Sequence, residues 1–195
     1  STPAKTVTQR LVTVQHKDGK RPGGGQKEKR AALRDIIKSE TVRNALIFCN
    51  RKRDIGVLHR SLTKHGYNVG QLHGDMSQPS RMEMLERFKN EEVHLLICSD
   101  VAARGLDIPD LSHVFNYDVP THAEDYVHRI GRTGRAGKEG KAFTIATKED
   151  GKYINEIETL IGLKIPGLDQ AKKARPAAEE AMPVKAKPAK EKPVE

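Results

Sequence analysis

The sequence predicts an α/β fold, a single domain whose parallel sheet carries helices on both faces. Short apolar runs alternate with amphipathic segments from residue 9 to residue 161, which is typical of strands alternating with helices. The run VHLLICS is the most continuous apolar stretch of the chain, as expected for a strand buried on both faces of a parallel sheet. The length of 195 residues suits one such domain with a remainder.

The first three strand–helix pairs follow from apolar runs and helical spacing. LVTV predicts a strand, and Leu33, Ile36 and Ile37 predict the helix after it by their three-and-four spacing. ALIFCN predicts the second strand, and the helix that follows should end at Gly66, because glycine is favoured just past a helix C-terminus. NVGQLH predicts the third strand, and Pro79 lies near the start of the helix SQPSRMEMLERFKN.

The second half of the domain continues the alternation. VHLLICS and VFNY predict the fourth and fifth strands. Thr121 and Glu124 then form a capping-box pattern, which predicts where the next helix begins. AFTIA predicts the last strand, and Tyr153, Ile157 and Leu160 mark the inner face of the last helix.

Composition indicates a soluble, cytoplasmic protein with a polyanionic partner. The formal net charge is +9 and the pI is near 9.6, which does not distinguish a nucleic acid from a nucleotide or an acidic protein. No apolar run is long enough for a membrane span, and the first residues lack the apolar core of a secretory signal. Cys49 and Cys98 each end an apolar run, so we expect small buried side chains in a reducing compartment.

The composition also divides the chain into three parts. Residues 1–8 are predicted to be a linker, residues 9–168 the folded domain, and residues 169–195 a disordered basic tail, because the tail is rich in Lys, Glu and Pro and has few large apolar side chains. Inside the domain, the segment DGKRPGGGQKEKR predicts a flexible loop around Gly23, Gly24 and Gly25.

Four chemically unusual segments follow predicted strands or lie one helix later. They are NRKRD, HGDMSQPSR, SDVAARGLD and HRIGRTGRAG. In a parallel sheet the carboxyl ends of the strands share one edge, and ligands bind there. The last segment holds three arginines in ten residues, and guanidinium groups suit oxyanions. A polyphosphate, a nucleic acid and a carboxylate cluster all remain candidates at this point.

Taken in this order, the segments resemble the second RecA-like domain of bacterial DEAD-box RNA helicases over residues 7–165. SDVAARGLDIP and HRIGRTGRAG correspond to the fifth and sixth motifs of that family. ALIFCN is similar to its fourth motif, and Gln78 to Arg81 is similar to its Q-x-x-R element. His128 stands where many other helicases have glutamine, so it favours the RNA-unwinding branch. The resemblance implies a RecA-like fold and ATP-dependent RNA unwinding.

The resemblance implies that Arg132 and Arg135 are arginine fingers that approach the γ-phosphate of ATP. A fixed positive charge there stabilises the charge that spreads over the phosphoryl oxygens in the transition state. Gly131 and Gly134 are expected to let the backbone bend so that both side chains point inward. A basic surface loop is the alternative for this segment taken by itself.

Four further residues are expected near the nucleotide. The family counterpart of Asp107 accepts hydrogen bonds from the ATP ribose, and Gly105 permits close approach; an aspartate in a loop is also a common turn former or helix cap. Arg104 resembles a residue that couples the RNA and nucleotide sites, with a structural salt bridge as its alternative. His128 is expected to position its neighbours by hydrogen bonds across the cleft.

The resemblance also implies RNA contacts from amide, hydroxyl, guanidinium and backbone groups, which suit phosphate and ribose without regard to base sequence. The candidates are Asn50, Arg51, Gly74, Gln78, Arg81, Ser99 and Asp100. Ser77 or Ser80 is expected to cap the helix that carries Arg81. Asp100 has a structural role as its alternative, because phosphate repels a carboxylate.

The family needs a first domain with a phosphate-binding P-loop and an Asp-Glu-Ala-Asp sequence, and neither occurs in this sequence. Each Gly-Lys pair is followed by Arg, Glu, Ala or Tyr rather than by Ser or Thr. The resemblance therefore implies that ATP, with Mg²⁺ held by the first domain, binds between this chain and that domain. The chain by itself is expected to be inactive.

The expected partners are RNA and an N-terminal RecA-like domain, with ribosomal or RNA-degradation proteins as further candidates. One alternative is a module without catalytic activity that binds RNA or docks proteins. A second alternative is half of a DNA helicase or translocase, which usually differs at His128.

Overall fold

A single parallel sheet forms the centre of the protein. A computed structural model describes residues 6–15 and 25–168; the predicted tail 169–195, linker residues 1–5, Gly23 and Gly24 lie outside them. The strands in the described residues are β1 (Val7–Thr13), β2 (Ala45–Phe48), β3 (Val69–Leu72), β4 (Leu95–Cys98), β5 (His113–Asn116) and β6 (Gly140–Ala146). The helices are α1 (Gln26–Ser39), α2 (Lys52–Lys64), α3 (Gln78–Lys89), α4 (Asp100–Ala103), α5 (Ala123–Ile130) and α6 (Gly151–Ile161).

The strand order is β1-β6-β5-β2-β4-β3, and every pair is parallel. The predicted alternation of strands and helices is therefore confirmed. From β2 the chain first builds one side of the sheet, through β3 and β4, and then crosses to the other side with β5 and β6. Such a reversal leaves a crevice at the carboxyl ends of the central strands, where α/β proteins bind ligands.

Two apolar layers cover the two faces of the sheet. One layer joins the sheet to α3, α5 and α6, and the other joins it to α1 and α2. Along β4, Leu96 and Cys98 belong to the first layer, whereas Leu95 and Ile97 belong to the second. Both faces of this strand are thus buried, which explains why its sequence is a continuous apolar run.

Both cysteines are buried, as predicted, and both are free thiols. Cys98 lies in the layer under α3, α5 and α6, and Cys49 lies in the layer on the opposite face. Burial raises the pKa of Cys98 to about 12. These thiols act as small apolar groups. In the part of the chain that the structure describes, no helix is long and apolar enough to cross a membrane.

Two predicted helix ends are confirmed. The Oγ of Ser77 accepts a hydrogen bond from the backbone N–H of Ser80 at 3.3 Å, so Ser77 caps α3, and Pro79 lies in the first turn. Gly66 follows the C-cap of α2 with φ +81°, a left-handed conformation that costs glycine little. Capping and proline placement therefore orient the loop that precedes α3.

The predicted capping box at Thr121 and Glu124 was wrong. Helix α5 begins at Ala123 with His122 at the N-cap, and no side chain caps it; the helix starts one residue later than the pattern requires. A capping box is present instead where Thr147 donates its backbone N–H to Asp150 Oδ2 at 2.8 Å. The sequence pattern missed it because the third position holds Asp rather than Glu or Gln.

Two other details differ from the sequence prediction. Leu160 is 41% exposed, and the buried face of α6 is formed by Ile154, Ile157 and Ile161. Strand β1 begins at Val7, so Val7 and the residue after it belong to the sheet rather than to the preceding linker. Parallel pairing with β6 along its whole length defines the extent of β1.

A buried polar cluster lies at the amino end of the sheet, away from the carboxyl edge. Glu40 is 4% exposed and accepts contacts from His113 Nε2 at 3.1 Å and from Lys141 Nζ at 3.0 Å. Burial raises the pKa of Glu40, but the hydrogen bonds from His113 and Lys141 outweigh that effect and hold the pKa below its ordinary value. The cluster joins the end of α1 to β5 and β6.

Candidate functional site

The four unusual segments meet at the carboxyl edge of the sheet, as predicted. In the register of the central strands, Phe48 lies level with Cys98 on one side and Asn116 on the other. The residues that follow these three strands therefore emerge side by side. Lys52 Nζ contacts Asp75 Oδ1 at 2.9 Å, which joins the NRKRD and HGDMSQPSR segments.

Arg129 is the centre of this edge. Its side chain is 1% exposed and donates from Nε to Asp100 Oδ1 at 2.8 Å and from Nη2 to Asp100 Oδ2 at 2.7 Å. It also donates to Asn50 Oδ1 at 2.7 Å and to the carbonyl of Asp118 at 2.8 Å. The guanidinium lies over the Phe48 ring at 5.1 Å. One buried cation thus connects the ends of β2, β4 and β5 to α5.

The sequence reasoning did not single out Arg129. A usable signal was present, because Arg129 follows Tyr126 by three positions and therefore shares the inner face of α5 with it; Tyr126 and Arg129 are both buried. A buried arginine needs an acidic partner. Asp100 supplies that partner, so the structural alternative named for its carboxylate is the arrangement observed.

A second ion pair extends the network to α1. Lys29 is buried, its Nζ lies 2.5 Å from Asp118 Oδ1, and it sits over the Tyr117 ring at 4.5 Å. The other carboxylate oxygen of Asp118 accepts the backbone N–H of Asn50 at 2.9 Å. The Asn50 side chain also donates to the carbonyl of Val119 at 2.9 Å. Asn50 is consequently held from both its backbone and its side chain.

Arg132 lies beside this network without an acidic partner in the described residues. It is half-buried, and it donates to the carbonyls of Leu106 at 3.2 Å and Ala103 at 3.1 Å. Burial lowers the pKa of Arg132, and the nearby charge of Arg135 lowers it further. Both causes disfavour the charged form of Arg132. An anion placed here would offset them, because an opposite charge favours the charged guanidinium.

A cavity of about 290 Å³ opens at this edge. Four of its lining residues were predicted as site residues: Asp100, Arg104, His128 and Arg132. The rest of the lining is formed by Phe48, Ala103, Asp125 and Arg129. Arg104 and His128 are exposed, and neither side chain has a hydrogen bond or ion pair within residues 6–15 and 25–168. The lining thus combines two apolar side chains with three arginines, one histidine and two carboxylates.

Arg135 and Asp107 flank the same loop. Arg135 is exposed and donates from Nε to the carbonyl of Gly131 at 2.9 Å and from Nη1 to that of Ile108 at 3.4 Å. The Asp107 carboxylate is 98% exposed, and its nearest cation is Lys89 Nζ at 3.8 Å. Arg132 and Arg135 therefore contact the backbone carbonyls on either side of Asp107, those of Leu106 and Ile108.

The glycines of the arginine segment have different roles. Gly134 has φ +68°, and a Cβ there would lie 2.7 Å from Val7 Cγ2; Thr6 Oγ1 donates to the Gly134 carbonyl at 2.8 Å. Gly131 has φ −65°, which any residue adopts, so a left-handed backbone favours glycine at Gly134 but not at Gly131. Gly105 has φ +72° with open space around it.

The predicted RNA residues fall into two groups. Asn50 and Asp100 belong to the Arg129 network, and Ser99 Oγ accepts the Ala102 N–H at 3.2 Å, which caps α4. The remaining candidates surround the N-termini of α2 and α3. Arg51 is 61% exposed with one long contact to Asp54 at 3.9 Å.

The second group continues at the start of α3. Gly74 and Gln78 are exposed, and Arg81 is half-buried with no side-chain partner among the described residues. Arg81 is the fourth residue of α3, one turn after the Ser77 cap. The described residues contain no group of three His, Cys, Asp or Glu side chains that could hold a metal ion.

Comparison with known proteins identifies relatives of this site. The model of the helicase conserved C-terminal domain matches residues 28–137, a range that includes every loop of the cavity. The ATP-dependent RNA helicase CshA of Limosilactobacillus reuteri is 43% identical over 138 residues, which cover 68% of this chain and 28% of that relative. This chain thus matches little more than a quarter of that protein.

Solved structures share the fold. The DEAD-box protein SrmB of E. coli, bound to regulator of ribonuclease activity A, has a TM-score of 0.75 and 31% identity, covering 89% of this chain and 98% of that chain. Dbp5 of S. cerevisiae, bound to RNA and ADP BeF3, has a TM-score of 0.74 and 28% identity, covering 88% of this chain and 44% of that chain.

Proposed function

Because the chain belongs to the helicase conserved C-terminal domain family and is the second RecA-like domain of a DEAD-box RNA helicase, we propose that it completes an ATP site and an RNA site with a first RecA-like domain. The two domains together hydrolyse ATP and unwind RNA duplexes locally. The relative CshA is an ATP-dependent RNA helicase, and the Dbp5 structure contains both RNA and ADP BeF3.

One observation carries the nucleotide half of the proposal. The Arg132 guanidinium is half-buried at the cavity, and only two backbone carbonyls contact it among the described residues. Arginine has five N–H donors, so donors remain for a ligand. A triphosphate presented by the first domain would supply the missing anion, and Arg132 would then stabilise the γ-phosphoryl group as charge spreads over its oxygens.

Three neighbours complete the nucleotide site in this proposal. Arg135 is the second arginine finger, and among the described residues its exposed side chain hydrogen-bonds only to carbonyl oxygens. Asp107 accepts hydrogen bonds from the ATP ribose, for which its 98% exposed carboxylate is available. Gly105 allows the ribose to approach the backbone. Mg²⁺ is assigned to the first domain, where it neutralises phosphate charge.

We assign the RNA contacts to the other side of the same edge. The proposed set is Asn50, Arg51, Gly74, Gln78, Arg81, Ser99 and Asp100. Arg51, Gln78 and Arg81 donate to phosphate and ribose oxygens, which requires no base recognition. Both oxygens of Asp100 are occupied by Arg129, so Asp100 serves this site by holding its loop in place.

Closure of the two domains links the two sites. ATP and single-stranded RNA bind across both domains, and closure bends one strand, displaces its partner and brings Arg132 and Arg135 to the nucleotide. Hydrolysis then reopens the cleft. Arg104 and His128 couple the sites, since both line the cavity between the RNA loops and Arg132. The catalytic gain comes from docking groups that are already in place.

The test joins residues 1–170 to a DEAD-box first domain and measures ATP turnover with RNA, with DNA and without nucleic acid. We expect RNA-stimulated turnover, and Arg132→Ala should reduce it by about 10³-fold or more. Arg87→Ala is the matched control, because Arg87 is exposed on α3 with a single contact to Glu92 at 3.6 Å. Unchanged turnover in a folded Arg132→Ala protein refutes the proposal, and equal stimulation by DNA assigns the domain to a DNA translocase.

This assignment places the protein in the cytoplasm, with RNA and the first domain as its partners. Ribosomal or RNA-degradation proteins are further proposed partners. The chain without a first domain should show no ATP turnover, because its sequence contains no P-loop.

A further inference from the structure

The helices on the two faces of the sheet carry opposite net charges. Helices α1 and α2, which cover one face, hold nine Lys or Arg and three Asp or Glu, a net charge of +6. Helices α3, α4, α5 and α6, which cover the other face, hold five Lys or Arg and seven Asp or Glu, a net charge of −2. The net positive charge of the helices is therefore concentrated on the α1/α2 face.

Helix α2 arranges part of this charge in a row. Arg53, Arg60 and Lys64 are exposed, and at about 100° per residue they fall within roughly 40° of one another around the helix. The buried side of α2 is opposite and is formed by Ile55, Leu58 and Leu62. The row extends for about 16 Å along the helix axis.

The cations of the row have few acidic partners. Arg53 is 76% exposed, and its one ion pair is with Asp54 at 4.0 Å. Arg60 and Lys64 form no ion pair with any residue that the structure describes. On α1, Lys27 and Lys38 are also exposed. Unneutralised, exposed cations on one face create a field that attracts polyanions.

The row begins at the RNA edge proposed above. Helix α2 starts directly after Asn50 and Arg51, at the carboxyl end of β2. From there the helix runs back along the sheet toward its amino end, and Lys64 lies at the far end of α2. An RNA strand that leaves the edge near Arg51 can thus continue along the row, in which Arg53 and Arg60 are separated by about 10 Å along the helix axis.

We propose that the α1/α2 face is a second RNA-binding surface, which holds the phosphate backbone of RNA that extends beyond the strand-edge site. The proposal rests on the proposed function, since the edge site is where the RNA enters the face. Phosphate contacts need cations and no base-specific groups. A protein partner fits less well, because interfaces between proteins have an apolar core, and Val57, 39% exposed, is the one large apolar side chain exposed on the described parts of α1 and α2.

The test measures RNA binding by the 195-residue chain with fluorescence anisotropy at several salt concentrations. Two single-stranded RNAs are used, one of about 6 nucleotides that spans the edge site and one of about 20 nucleotides that also reaches α2. The variant Arg60→Gln/Lys64→Gln removes two charges from the row. Lys148→Gln/Lys152→Gln is the matched control, since both lysines are exposed near α6 on the other face.

The α2 variant should weaken binding of the longer RNA and leave the shorter RNA unaffected. Each phosphate contact to a single strand contributes about 0.7 to the slope of log K against log salt. Loss of two contacts should therefore lower the slope by about 1.4 and the affinity at 0.1 M salt by about 25-fold. The control variant should retain the wild-type slope, and both variants should keep the wild-type unfolding midpoint.

Four outcomes overturn the proposal. An unchanged slope for the longer RNA in the α2 variant shows that the row does not contact RNA. An equal loss for both RNAs shows a general charge effect rather than a separate surface. Tighter binding of poly-glutamate than of the longer RNA, abolished by the α2 variant, assigns the face to an acidic protein. If the wild-type chain binds the longer RNA no more tightly than the shorter one, this inference fails and the proposed function stands. If Arg81→Ala leaves the affinity for the shorter RNA unchanged, the proposed edge site fails instead.

Discussion

Arg129 and Asp100 form a two-pronged ion pair in which both carboxylate oxygens are engaged, at 2.8 and 2.7 Å, by a guanidinium that is 1% exposed. The pair joins the SDVAARGLD segment to the HRIGRTGRAG segment. Its geometry satisfies the condition under which a buried ion pair is tolerated, because acceptors from Asn50, Asp118 and Asn116 engage the remaining three N–H groups of Arg129.

Asp100→Asn should destabilise the protein by roughly 3 kcal/mol or more, because it leaves the buried charge of Arg129 uncompensated. Urea unfolding measures the difference. Asp110→Asn serves as the control, since the one hydrogen bond of the Asp110 carboxylate within residues 6–15 and 25–168 is from the Arg135 backbone N–H. A loss for Asp100→Asn no larger than that of the control contradicts the assigned role.

Lys29 and Asp118 should show energetic coupling. Lys29→Met leaves Asp118 without its cation, and Asp118→Asn leaves Lys29 buried without an anion, so each single variant should be less stable than the wild type. The double variant should lose less than the two single losses combined, by about 1 kcal/mol or more. If urea unfolding shows that the two losses of unfolding free energy are additive, the contact at 2.5 Å between Lys29 and Asp118 makes no specific contribution to stability.

The same variants test how Asn50 is held. Because Asp118 accepts the backbone N–H of Asn50, Asp118→Asn should shift the amide resonance of Asn50 in NMR spectra. An unchanged resonance would disprove the connection between α1 and the edge. Within the described part of the chain, the Arg10 side chain donates only to the backbone carbonyl of Gln9, so Arg10→Gln is a suitable control.

The Glu40 cluster should make the free energy of unfolding fall at acidic pH. The pKa of Glu40 is lower in the folded protein than its ordinary value of 4.5, so its ionised form stabilises the fold. That contribution is complete above the unfolded-state pKa and is lost as the pH falls through the folded-state value. Glu40→Gln should therefore reduce the dependence of the unfolding free energy on pH below about pH 4.5. A wild-type slope in the variant would exclude Glu40 as the cause.

Gly134→Ala should destabilise the protein more than Gly137→Ala. Both glycines have positive φ, +68° and +78°, so alanine incurs a backbone cost of roughly 1–2 kcal/mol at either position. Only at Gly134 would the new Cβ also collide with Val7 and Thr6, whereas at Gly137 it meets nothing within 4 Å. Thermal unfolding compares the two, and equal losses would show that the contact with β1 is unimportant.

The strands of the sheet were predictable because each one overlaps a short apolar run that can be recognised locally in the sequence. The position of the edge was predictable as well, since the carboxyl ends of parallel strands must coincide. Arg129 was not identified as a buried residue of the site. Its burial depends on the ion pair with Asp100, 29 positions away, and residue spacing does not show which distant residues come into contact. The contact between Glu40 and His113, 73 positions apart, was unpredictable for the same reason.

The exact ends of helices were also difficult to predict from sequence. The Thr121 pattern matched a capping box, yet α5 begins one residue later with His122 at its N-cap. Local preferences of this kind contribute about 1 kcal/mol, and the packing of Tyr126 and Arg129 against the core decides where the helix starts. Sequence patterns therefore located elements more reliably than their ends.

The contact between Thr6 and the arginine loop has a mechanical consequence. Thr6 Oγ1 donates to the carbonyl of Gly134, and the Thr6 carbonyl accepts the N–H of Gly140. A displacement of Thr6 would therefore be transmitted to the loop between Arg132 and Arg135 through the Gly134 carbonyl, and to the start of β6 through Gly140. Thr6 thus couples the first residues of β1 to the position of those two arginines.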